Sequence, residues 1–428
     1  MPSMTQNYQS GGWKAHRILI VCSVLYTLTY MERVAVTVVL QPMKLEMGLS
    51  DAQLGTIQTV YMLCYGVFAI PAAYLIDRWS RKKSIGLMGL IWNVSTTVFG
   101  LARNFVTALF SRAVAGPGVT AIVTGSISMI TAAYNKEKHG WAMGIFNIGI
   151  PLGIALGAAT TGFMAAAYGW RSPFFLLAGI GVLLAVAVFF LEDYRTVDQT
   201  ITSGFKHLGK STYMLLKIPT LRWFFPGYGL MLITGLAQIN WLPTFLMRQY
   251  EWRIDTAGYI TCVVSLVAVI GAPLGGVLSD VWYKKNHKSR LWLPAIASLL
   301  SSVFLAASFL AFSCNLAAGL FLSLIFGIVN MVAIPALSLV SQNVVPAAHK
   351  GLAYGLASLF MYVFGGAWSP LMVGAISDSI GGGAPGLMWA MVVASIGGVL
   401  ACFCFLMGAR YYASDEDRVK GTVLQSED

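Results

Sequence analysis

The sequence predicts an all-α membrane protein in which twelve transmembrane helices form two pseudo-symmetric bundles of six. Composition is the first observation, because 57% of the 428 residues are hydrophobic and 11% are charged, whereas soluble domains have about 25% charged residues. Second, apolar stretches recur from Arg17 almost to the C-terminus, where a soluble chain would divide into separate cores. Third, Asp77 in AYLIDRWSRKK and Asp280 in GVLSDVWYKK occupy matching positions in the two halves, which indicates an internal duplication.

The apolar stretches are long enough to cross a bilayer, whose core of about 30 Å needs roughly 20 helical residues. In the first half the predicted spans are 17–45, 52–78, 84–102, 105–134, 138–167 and 173–191. In the second half they are 221–249, 255–282, 290–311, 315–345, 349–379 and 385–412. The predicted organisation is therefore a first bundle over 1–191, a cytoplasmic linker over 192–220, a second bundle over 221–412 and a cytoplasmic tail over 413–428.

The distribution of cations predicts the orientation, since cytoplasmic connectors of membrane proteins carry an excess of lysine and arginine. With both termini in the cytoplasm, 21 of the 28 lysines and arginines lie on the cytoplasmic side. The opposite side keeps five, which are Lys44, Arg103, Arg171, Arg248 and Arg253. The other two, Arg33 and Arg112, fall inside predicted spans. We expect a multi-pass protein of a bacterial inner membrane with cytoplasmic termini.

Several other function classes are disfavoured. The formal charge of +11 does not indicate nucleic-acid binding, because the basic residues are spread over short connectors. The six cysteines lie in apolar segments without the spacing of a zinc site. The stretch GFKHLGKS, residues 204–211, matches the phosphate-binding pattern of an ATP-driven pump. A connector of about thirty residues cannot hold the strand, loop and helix that this pattern requires, so a basic linker near anionic headgroups is favoured.

An acid at a helix end followed by a cationic turn occurs in both halves, as Asp77 with Arg78 and Arg81, and as Asp280 with the lysines after it. Here the sequence resembles the major facilitator superfamily, whose motif G-x-x-x-D-R-x-G-R-R/K links cytoplasmic helix ends and stabilises one conformation. Ser80 stands where that motif has its second glycine. The resemblance implies the twelve-helix fold of that superfamily and conformational gating by Asp77, Arg78, Arg81 and Asp280. Cations that set topology alone would not explain two aspartates in the same register.

Further stretches narrow the resemblance, among them LSDAQLG (49–55), GIPLGIALG (149–157), WLPTFL (241–246) and SPLMVGAISD (369–378). Together they resemble the spinster-like and anion:cation symporter branches of the superfamily. Members of these branches carry sugar acids, aromatic acids, other organic anions or lysolipids. The resemblance therefore implies transport without specifying the substrate.

Glycines at 149, 153 and 157 recur every fourth residue. This spacing allows neighbouring transmembrane helices to approach closely. Two interpretations remain open at this point, a sliding surface between the halves and ordinary tight packing.

Charges in the middle of the membrane are the most informative feature. An ion at the bilayer centre costs about 2.5–3.5 kcal/mol on insertion scales, so such residues normally face a polar cavity or a partner. Arg33 and Arg112 are two deep cations, and Glu32 is the one deep carboxylate. Because forked guanidinium donors suit carboxylates, sulfonates and phosphates, we expect a bound anion to complete the charge balance. The alternative is a structural cluster of Glu32 with one arginine, while the other arginine reaches an interface.

Glu32 is the predicted proton-coupling residue. Adjacent helical residues point roughly 100° apart, so Arg33 can face a central cavity while Glu32 faces Arg112 on a neighbouring helix. Protonation of Glu32 would then free an arginine for the substrate. In the relatives that the chain resembles, an arginine like Arg112 is followed seven residues later by a glutamate, whereas Val119 occupies that position here. This departure leaves the proton stoichiometry open.

Other residues within the spans complete the candidate substrate site. Tyr30 lies one turn before Arg33 on the same helix face. Tyr65 resembles the tyrosine at which relatives contact their substrate. The remaining candidates are Asn147, Gln238, Asn240, Asn330, Tyr362 and Trp368. Each of these six is equally compatible with a helix–helix hydrogen bond.

The predicted function is secondary active transport of a small organic anion by alternating access, with proton symport. The expected partners are the anion, protons and the lipid bilayer. We expect a monomer without cofactor, metal site, nucleic-acid partner or enzymatic activity. The alternatives are a spinster-type exporter of lysolipids or other amphiphiles, an uncoupled facilitator or anion exchanger, an ATP-driven pump, and a sensor that binds its ligand without net flux.

Overall fold

The computed structural model describes residues 12–69, 71–72, 76, 80–134, 138–192, 212–346 and 350–424. Helices of the first half are α1 (Trp13–Met47), α2 (Asp51–Val67), α3 (Arg81–Gly100), α4 (Phe105–Ala133), α5 (His139–Tyr168) and α6 (Ser172–Val188). Helices of the second half are α7 (Pro219–Tyr250), α8 (Ile254–Ala268), α9 (Gly271–Tyr283), α10 (Ser289–Phe312), α11 (Leu316–Asn343), α12 (Lys350–Tyr362), α13 (Ser369–Ser379) and α14 (Gly383–Leu424). Within these ranges no residue lies in a β-strand.

The helices coincide with the predicted spans. In the described part of the chain, nine helical segments are long and apolar enough to cross a membrane, and α6 is a shorter apolar helix. Each of the predicted spans overlaps a helix, and most ends agree within a few residues, as for 290–311 and Ser289–Phe312. The prediction of an all-α membrane protein with twelve transmembrane helices is confirmed.

In the first half, α2 ends at Val67, within the predicted span 52–78. In the second half, two spans predicted as continuous helices are interrupted. The span 255–282 divides into α8 and α9, and the span 349–379 divides into α12 and α13 with a 3₁₀ turn at Gly366–Trp368 between them. At the second interruption the backbone approaches α7 so closely that a Cβ on Gly365 would lie 2.3 Å from Gly229 Cα. Trp368 Nε1 donates to the carbonyl of Val363 at 2.8 Å. A broken helix at membrane depth requires such internal partners for its backbone.

Short polar side chains begin several helices. Asn104 Oδ1 accepts from the Thr107 amide at 2.9 Å at the start of α4. Ser80 Oγ accepts from the Lys83 amide at 3.2 Å at the start of α3. A cap of this kind stabilises a helix by about 1 kcal/mol. Ser80, which replaces a glycine of the superfamily motif, therefore has a capping role here.

The described residues form two compact units. The first contains those within Met1–Met43, Cys64–Val197 and Ile254–Cys262. The second contains those within Lys44–Leu63, Asp198–Arg253 and Val263–Asp428. The turn between α1 and α2 thus packs with helices of the second half, and the beginning of α8 packs with helices of the first half.

The glycines at 149, 153 and 157 place α5 against α1 inside the first unit. A Cβ on Gly153 would lie 2.4 Å from the Thr27 carbonyl oxygen, and a Cβ on Gly157 would lie 2.6 Å from Met31 Cα. No side chain fits at these distances, so glycine is what permits the approach. Tight packing within one unit is therefore what this spacing produces.

Helix α14 continues past the predicted end of its span, residue 412, to Leu424. Asp415 and Glu416 are each 4% exposed. Asp415 Oδ2 accepts hydrogen bonds from the amide and hydroxyl of Thr220 at 3.0 and 2.7 Å, and Glu416 accepts one from the Tyr283 hydroxyl. The first part of the predicted tail is thus a helix bonded to the start of α7 and the end of α9.

Candidate substrate-binding site

A buried ion pair joins α1 to α4 in the first unit. Arg112 Nη1 donates to Glu32 Oε1, and the two side chains are 1% and 0% exposed. Glu32 Oε2 is buried and has no hydrogen-bond partner among the described residues. A carboxylate with one oxygen bonded to arginine and the other open can accept a proton on the open oxygen.

Arg33 lies beside aromatic rings on α1. Its Cζ is 5.9 Å from the centroid of the Tyr30 ring, at the limit of a cation–π contact. The Tyr30 ring meets Tyr26 edge-on with centroids 5.2 Å apart, and Tyr26 stacks on Phe146 of α5 at 4.2 Å. Arg33 is half-buried. Tyr30 and Arg33 are thus neighbours on one face, and the rings of Tyr26 and Phe146 support Tyr30.

Tyr65 is tied through its backbone to the helix that carries Arg112. Thr120 Oγ1 donates to the Tyr65 carbonyl at 2.7 Å. Thr120 follows Arg112 by about two helical turns and lies on the same face of α4. Val119, which replaces the glutamate implied by the resemblance, is 3% exposed and adds no ionisable group to this part of α4.

Two of the predicted polar residues in the second unit have buried amide donors without an acceptor. Gln238 on α7 is 4% exposed and Asn330 on α11 is 6% exposed. Within the described residues, Gln238 Nε2 and Asn330 Nδ2 have no hydrogen-bond partner. A Cβ on Gly235 would lie 3.1 Å from Asn330 Oδ1, so Asn330 contacts α7 one turn before Gln238. An unsatisfied buried amide is costly, so these two donors call for a partner such as a water, an ion or a ligand.

The remaining predicted residues differ in their surroundings. Asn240 Nδ2 donates to the Leu236 carbonyl at 2.7 Å, a bond within its own helix. Trp368 is 47% exposed and its indole N–H is bonded at the interruption before α13. Tyr362 is half-buried at the end of α12, and Asn147 is exposed on α5. The structure therefore gives Asn240 and Trp368 structural hydrogen bonds.

The predicted gating residues are described in part. Asp77 and Arg78 lie outside the described residues, as does the GFKHLGKS segment. Arg81 begins α3 and is 8% exposed. Asp280 Oδ1 lies 2.9 Å from Arg290 Nη2, so its ion pair joins α9 to α10 within the second unit.

Phe99 and Thr120 contact predicted site residues but were not themselves predicted. Arg112 Cζ lies 5.8 Å from the Phe99 ring centroid, within reach of a cation–π contact. The spacing of Thr120 from Arg112 would have placed it on the same helix face. Phe99 lies on α3, and its contact with Arg112 depends on how α3 packs on α4, which the sequence pattern does not specify.

These residues supply hydrogen-bond donors and positive charge. The described residues contain no group of three or more His, Cys, Asp or Glu side chains that could hold a metal ion. Guanidinium groups and open amide donors bind oxygen acceptors, and most strongly when those carry negative charge. Donors of this kind are present in each unit taken by itself.

Comparison with known proteins defines the family. The family model for the Major Facilitator Superfamily matches residues 22–370, which is most of the chain. The chain belongs to the Major Facilitator Superfamily. It is a multi-pass membrane transporter and not an enzyme.

Its relatives lie in the branches that the sequence motifs indicate. The chain is 26% identical over 295 residues to a probable sulfoacetate transporter of Cupriavidus necator, covering 66% of this chain and 68% of that one. It is 24% identical to a hexuronate transporter of Bacillus subtilis, covering 83% and 86%. The inward-facing, unoccupied crystal structure of a bacterial homolog to the human lysosomal transporter Spinster matches with a TM-score of 0.83 at 22% identity, covering 95% and 99%. The resemblance to the spinster-like and anion-transporting branches is confirmed, and the structural match shows a shared fold.

Proposed function

We propose that this protein moves a small organic anion, of the carboxylate or sulfonate type, across a bacterial inner membrane together with a proton. The charge balance of α1 and α4 carries the proposal. Arg33 and Arg112 bring two positive charges to the middle of the first unit's spans, and Glu32 brings one negative charge. A bound monoanion would make this region neutral by giving the second guanidinium a counter-charge.

Glu32 has the surroundings of a proton carrier. Its Oε1 is bonded to Arg112 and its Oε2 is open. When Glu32 takes up a proton, its attraction for Arg112 weakens, and the guanidinium is released to the incoming anion. Arg33 and Arg112 then hold the acid group, the halves rock, and anion and proton leave on the cytoplasmic side. Once the anion and the proton have left, the charged Glu32 pairs with Arg112 again.

The second unit supports a substrate with further oxygen atoms. Gln238 and Asn330 are buried and have amide donors without acceptors among the described residues. We propose that they donate to hydroxyl or carbonyl oxygens of the substrate. An alkyl chain, such as that of a lysolipid, would leave both amides unsatisfied at a cost of about 1–3 kcal/mol each. The relatives' names, which include sulfoacetate and hexuronate transporters, agree with a small oxygen-rich anion.

The arrangement in the membrane completes the proposal. Both termini lie in the cytoplasm, the bundles 1–191 and 221–412 are the two halves that rock, and a monomer is the transporting unit. The other predicted polar residues remain proposed substrate contacts: Tyr30, Tyr65, Asn147, Asn240, Tyr362 and Trp368. Asn240 and Trp368 also donate hydrogen bonds to the backbone.

A thermal-shift screen of the purified full-length protein tests the substrate class. The panel contains sulfonates, uronates, aldonates and simple carboxylates, with a lysophospholipid as the competing class. We expect at least one small anion to raise the melting temperature by a few degrees, because a ligand at about 100 times its Kd stabilises the folded state by about 2.7 kcal/mol. The shift should disappear in Arg33→Gln.

Arg112 needs a balanced variant, because removal of one partner from a buried ion pair costs roughly 3–5 kcal/mol. The double variant Glu32→Gln/Arg112→Gln leaves the net charge of the site unchanged and should also lose the shift. Arg103→Gln, an exposed arginine away from the site, is the control and should keep it. A shift by the lysophospholipid alone, or an undiminished anion shift in Arg33→Gln, would contradict the proposal.

A further inference from the structure

A second cluster of buried charges lies at the C-terminal end of α1. Asp51, the first residue of α2, is 0% exposed and is held by three side chains. Arg248 at the end of α7 donates to both of its oxygens, at 2.6 and 2.7 Å. Lys44 Nζ lies 2.6 Å from Oδ1, and the Ser377 hydroxyl donates to Oδ2 at 2.7 Å. All these residues belong to the second unit.

The neighbouring carboxylate bonds to the same turn. Asp378 accepts the amide N–H groups of Asp51 and Ala52, at 3.0 and 2.8 Å, one on each oxygen. It thereby caps the first turn of α2, where a negative charge is favourable. Two cations and two carboxylates make the cluster neutral. We call Lys44, Asp51, Arg248, Ser377 and Asp378 the Asp51 clasp.

Two glycines bring the helices together beneath these charges. A Cβ on Gly55 of α2 would lie 2.2 Å from the Pro370 carbonyl oxygen, and a Cβ on Gly374 of α13 would lie 2.2 Å from that of Asp51. These contacts join the segments LSDAQLG and SPLMVGAISD. Neither segment has a role in the candidate substrate-binding site. In sequence, this clasp connects the α1–α2 turn of the first half to α7 and α13 of the second half.

We infer that the Asp51 clasp is a gate on the non-cytoplasmic side, which is broken and re-formed in every transport cycle. The inference rests on the alternating access and orientation proposed above. Alternating access requires the two halves to separate on each side of the membrane in turn. Separation on the side of the α1–α2 turn cannot occur while Asp51 and Asp378 bind that turn to α7 and α13. Lys44 and Arg248 are two of the five cations that the orientation leaves outside the cytoplasm, and the clasp gives both a role.

The clasp is held by charge at physiological pH. Burial by itself would raise the pKa of Asp51. The hydrogen bonds and charge of Arg248, together with the hydrogen bonds of Lys44 and Ser377, instead lower this pKa to about 2. A neutral Asp51 therefore plays no part in opening near neutral pH. The gate opens instead when the conformational change of the loaded transporter outweighs these bonds.

Thiol labelling tests the gate without any substrate. The reporter is Gln58→Cys in a full-length background whose six native cysteines are replaced. Gln58 is fully buried and follows Asp51 and Gly55 along one face of α2, so separation of α2 from α13 should expose it. A membrane-impermeant maleimide is applied to right-side-out and, separately, to inverted vesicles. The labelling rate of the reporter is measured alone and with each clasp variant.

We expect Asp51→Asn and Arg248→Gln to raise labelling in right-side-out vesicles about tenfold or more, since the loss of a charge-assisted hydrogen bond shifts a two-state equilibrium by that order. The labelling rate of the double variant should be only slightly higher than that of the faster single variant, because both changes break the same interaction. Lys44→Gln removes one bond from a side chain that is 25% exposed, and it should give a smaller rise with little risk to folding. Arg103→Gln is the matched control and should leave labelling unchanged.

Melting temperatures of the same variants separate gating from misfolding. Unchanged labelling in the clasp variants that still melt cooperatively would overturn the inference, and so would an equal rise in Arg103→Gln or a rise confined to inverted vesicles. Because no transported anion is used, failure of the gate and failure of the proposed substrate class remain distinguishable.

Discussion

At the scale of single residues, the Glu32–Arg112 pair and the Asp51 clasp bury charge in different ways. Glu32 shares one arginine and keeps an oxygen without a partner among the described residues. Asp51 has both oxygens occupied, by Arg248, Lys44 and Ser377. Hydrogen bonds to the charged form of a carboxylate favour that form, and Asp51 accepts them on both oxygens whereas Glu32 accepts one on Oε1. This difference supports Glu32 as the coupling residue and Asp51 as a gate that is insensitive to pH near neutrality.

The pKa of Asp51 predicts how the clasp contributes to stability. In the folded protein it is lowered from 3.8 to about 2, so the unfolded chain binds the proton first as pH falls. The stabilisation is fully present above the unfolded value and is lost as pH falls through the folded value. We expect the melting-temperature difference between wild type and Asp51→Asn to be constant between about pH 5 and pH 8, and to shrink from about pH 4 towards pH 2.

The measurement is a pH series of thermal melts in detergent. Arg103→Gln serves as the control, and its melting-temperature difference from wild type should not shrink between about pH 4 and pH 2. A difference that changes between pH 5 and pH 8 would mean that another group controls the clasp.

At the scale of helices, glycines determine how closely the helices that carry the charges approach. Helix α5 contacts the α1 backbone at Thr27 and Met31 through Gly153 and Gly157, immediately before Glu32 and Arg33. In the second unit, Gly229 and Gly365 meet just after α12 ends. In both places the lack of a Cβ allows a backbone contact that no larger residue permits.

A glycine pair on α5 tests this packing. Gly157→Ala introduces a Cβ 2.6 Å from Met31 Cα, and we expect it to destabilise the protein by about 1–3 kcal/mol because α1 must move. Gly144→Ala on the same helix meets no atom within 4 Å and should be neutral or stabilise by up to about 1 kcal/mol. Thermal melts of both variants check this. Equal melting temperatures would show that α5 does not constrain α1.

At the scale of the whole molecule, a transported monoanion accompanied by one proton carries no net charge. The membrane potential, worth about 2.3 kcal/mol per charge per 100 mV, would then contribute nothing to accumulation. The pH difference would supply the driving force. With Val119 in place of the expected acid, Glu32 is the one proton carrier that we propose on α1 and α4.

Glu32→Gln tests that coupling with an anion identified by the thermal-shift screen. We expect the variant to keep anion exchange in proteoliposomes and to lose accumulation driven by a pH gradient, because glutamine cannot take up a proton. Glu46→Gln, an exposed acid on the same helix, is the control and should accumulate the anion as wild type does. Undiminished accumulation by Glu32→Gln would remove Glu32 from the coupling role.

Much of the architecture followed from the sequence by itself. The spans, the superfamily and the deep charges on α1 and α4 were predictable because hydrophobicity adds up over about 20 neighbouring residues and motifs are local. The neighbouring positions of Tyr30 and Arg33 followed from helical spacing in the same way. The interruption between α12 and α13 did not, because it depends on Gly365 meeting Gly229 of another helix.

Charge scarcity within the spans was enough to predict the pair of Glu32 and Arg112, which are 80 positions apart. The partners at Asp51 were decided by tertiary structure alone, because Asp51 and Arg248 are 197 positions apart and nothing in the local pattern assigns them to each other. The sequence placed Lys44 and Arg248 at helix ends and identified LSDAQLG and SPLMVGAISD as family-like stretches, but it did not show that they form one clasp. The physical reason is that hydrophobic burial is additive along the chain, whereas an ion pair exists only where folding brings two particular side chains within hydrogen-bonding distance.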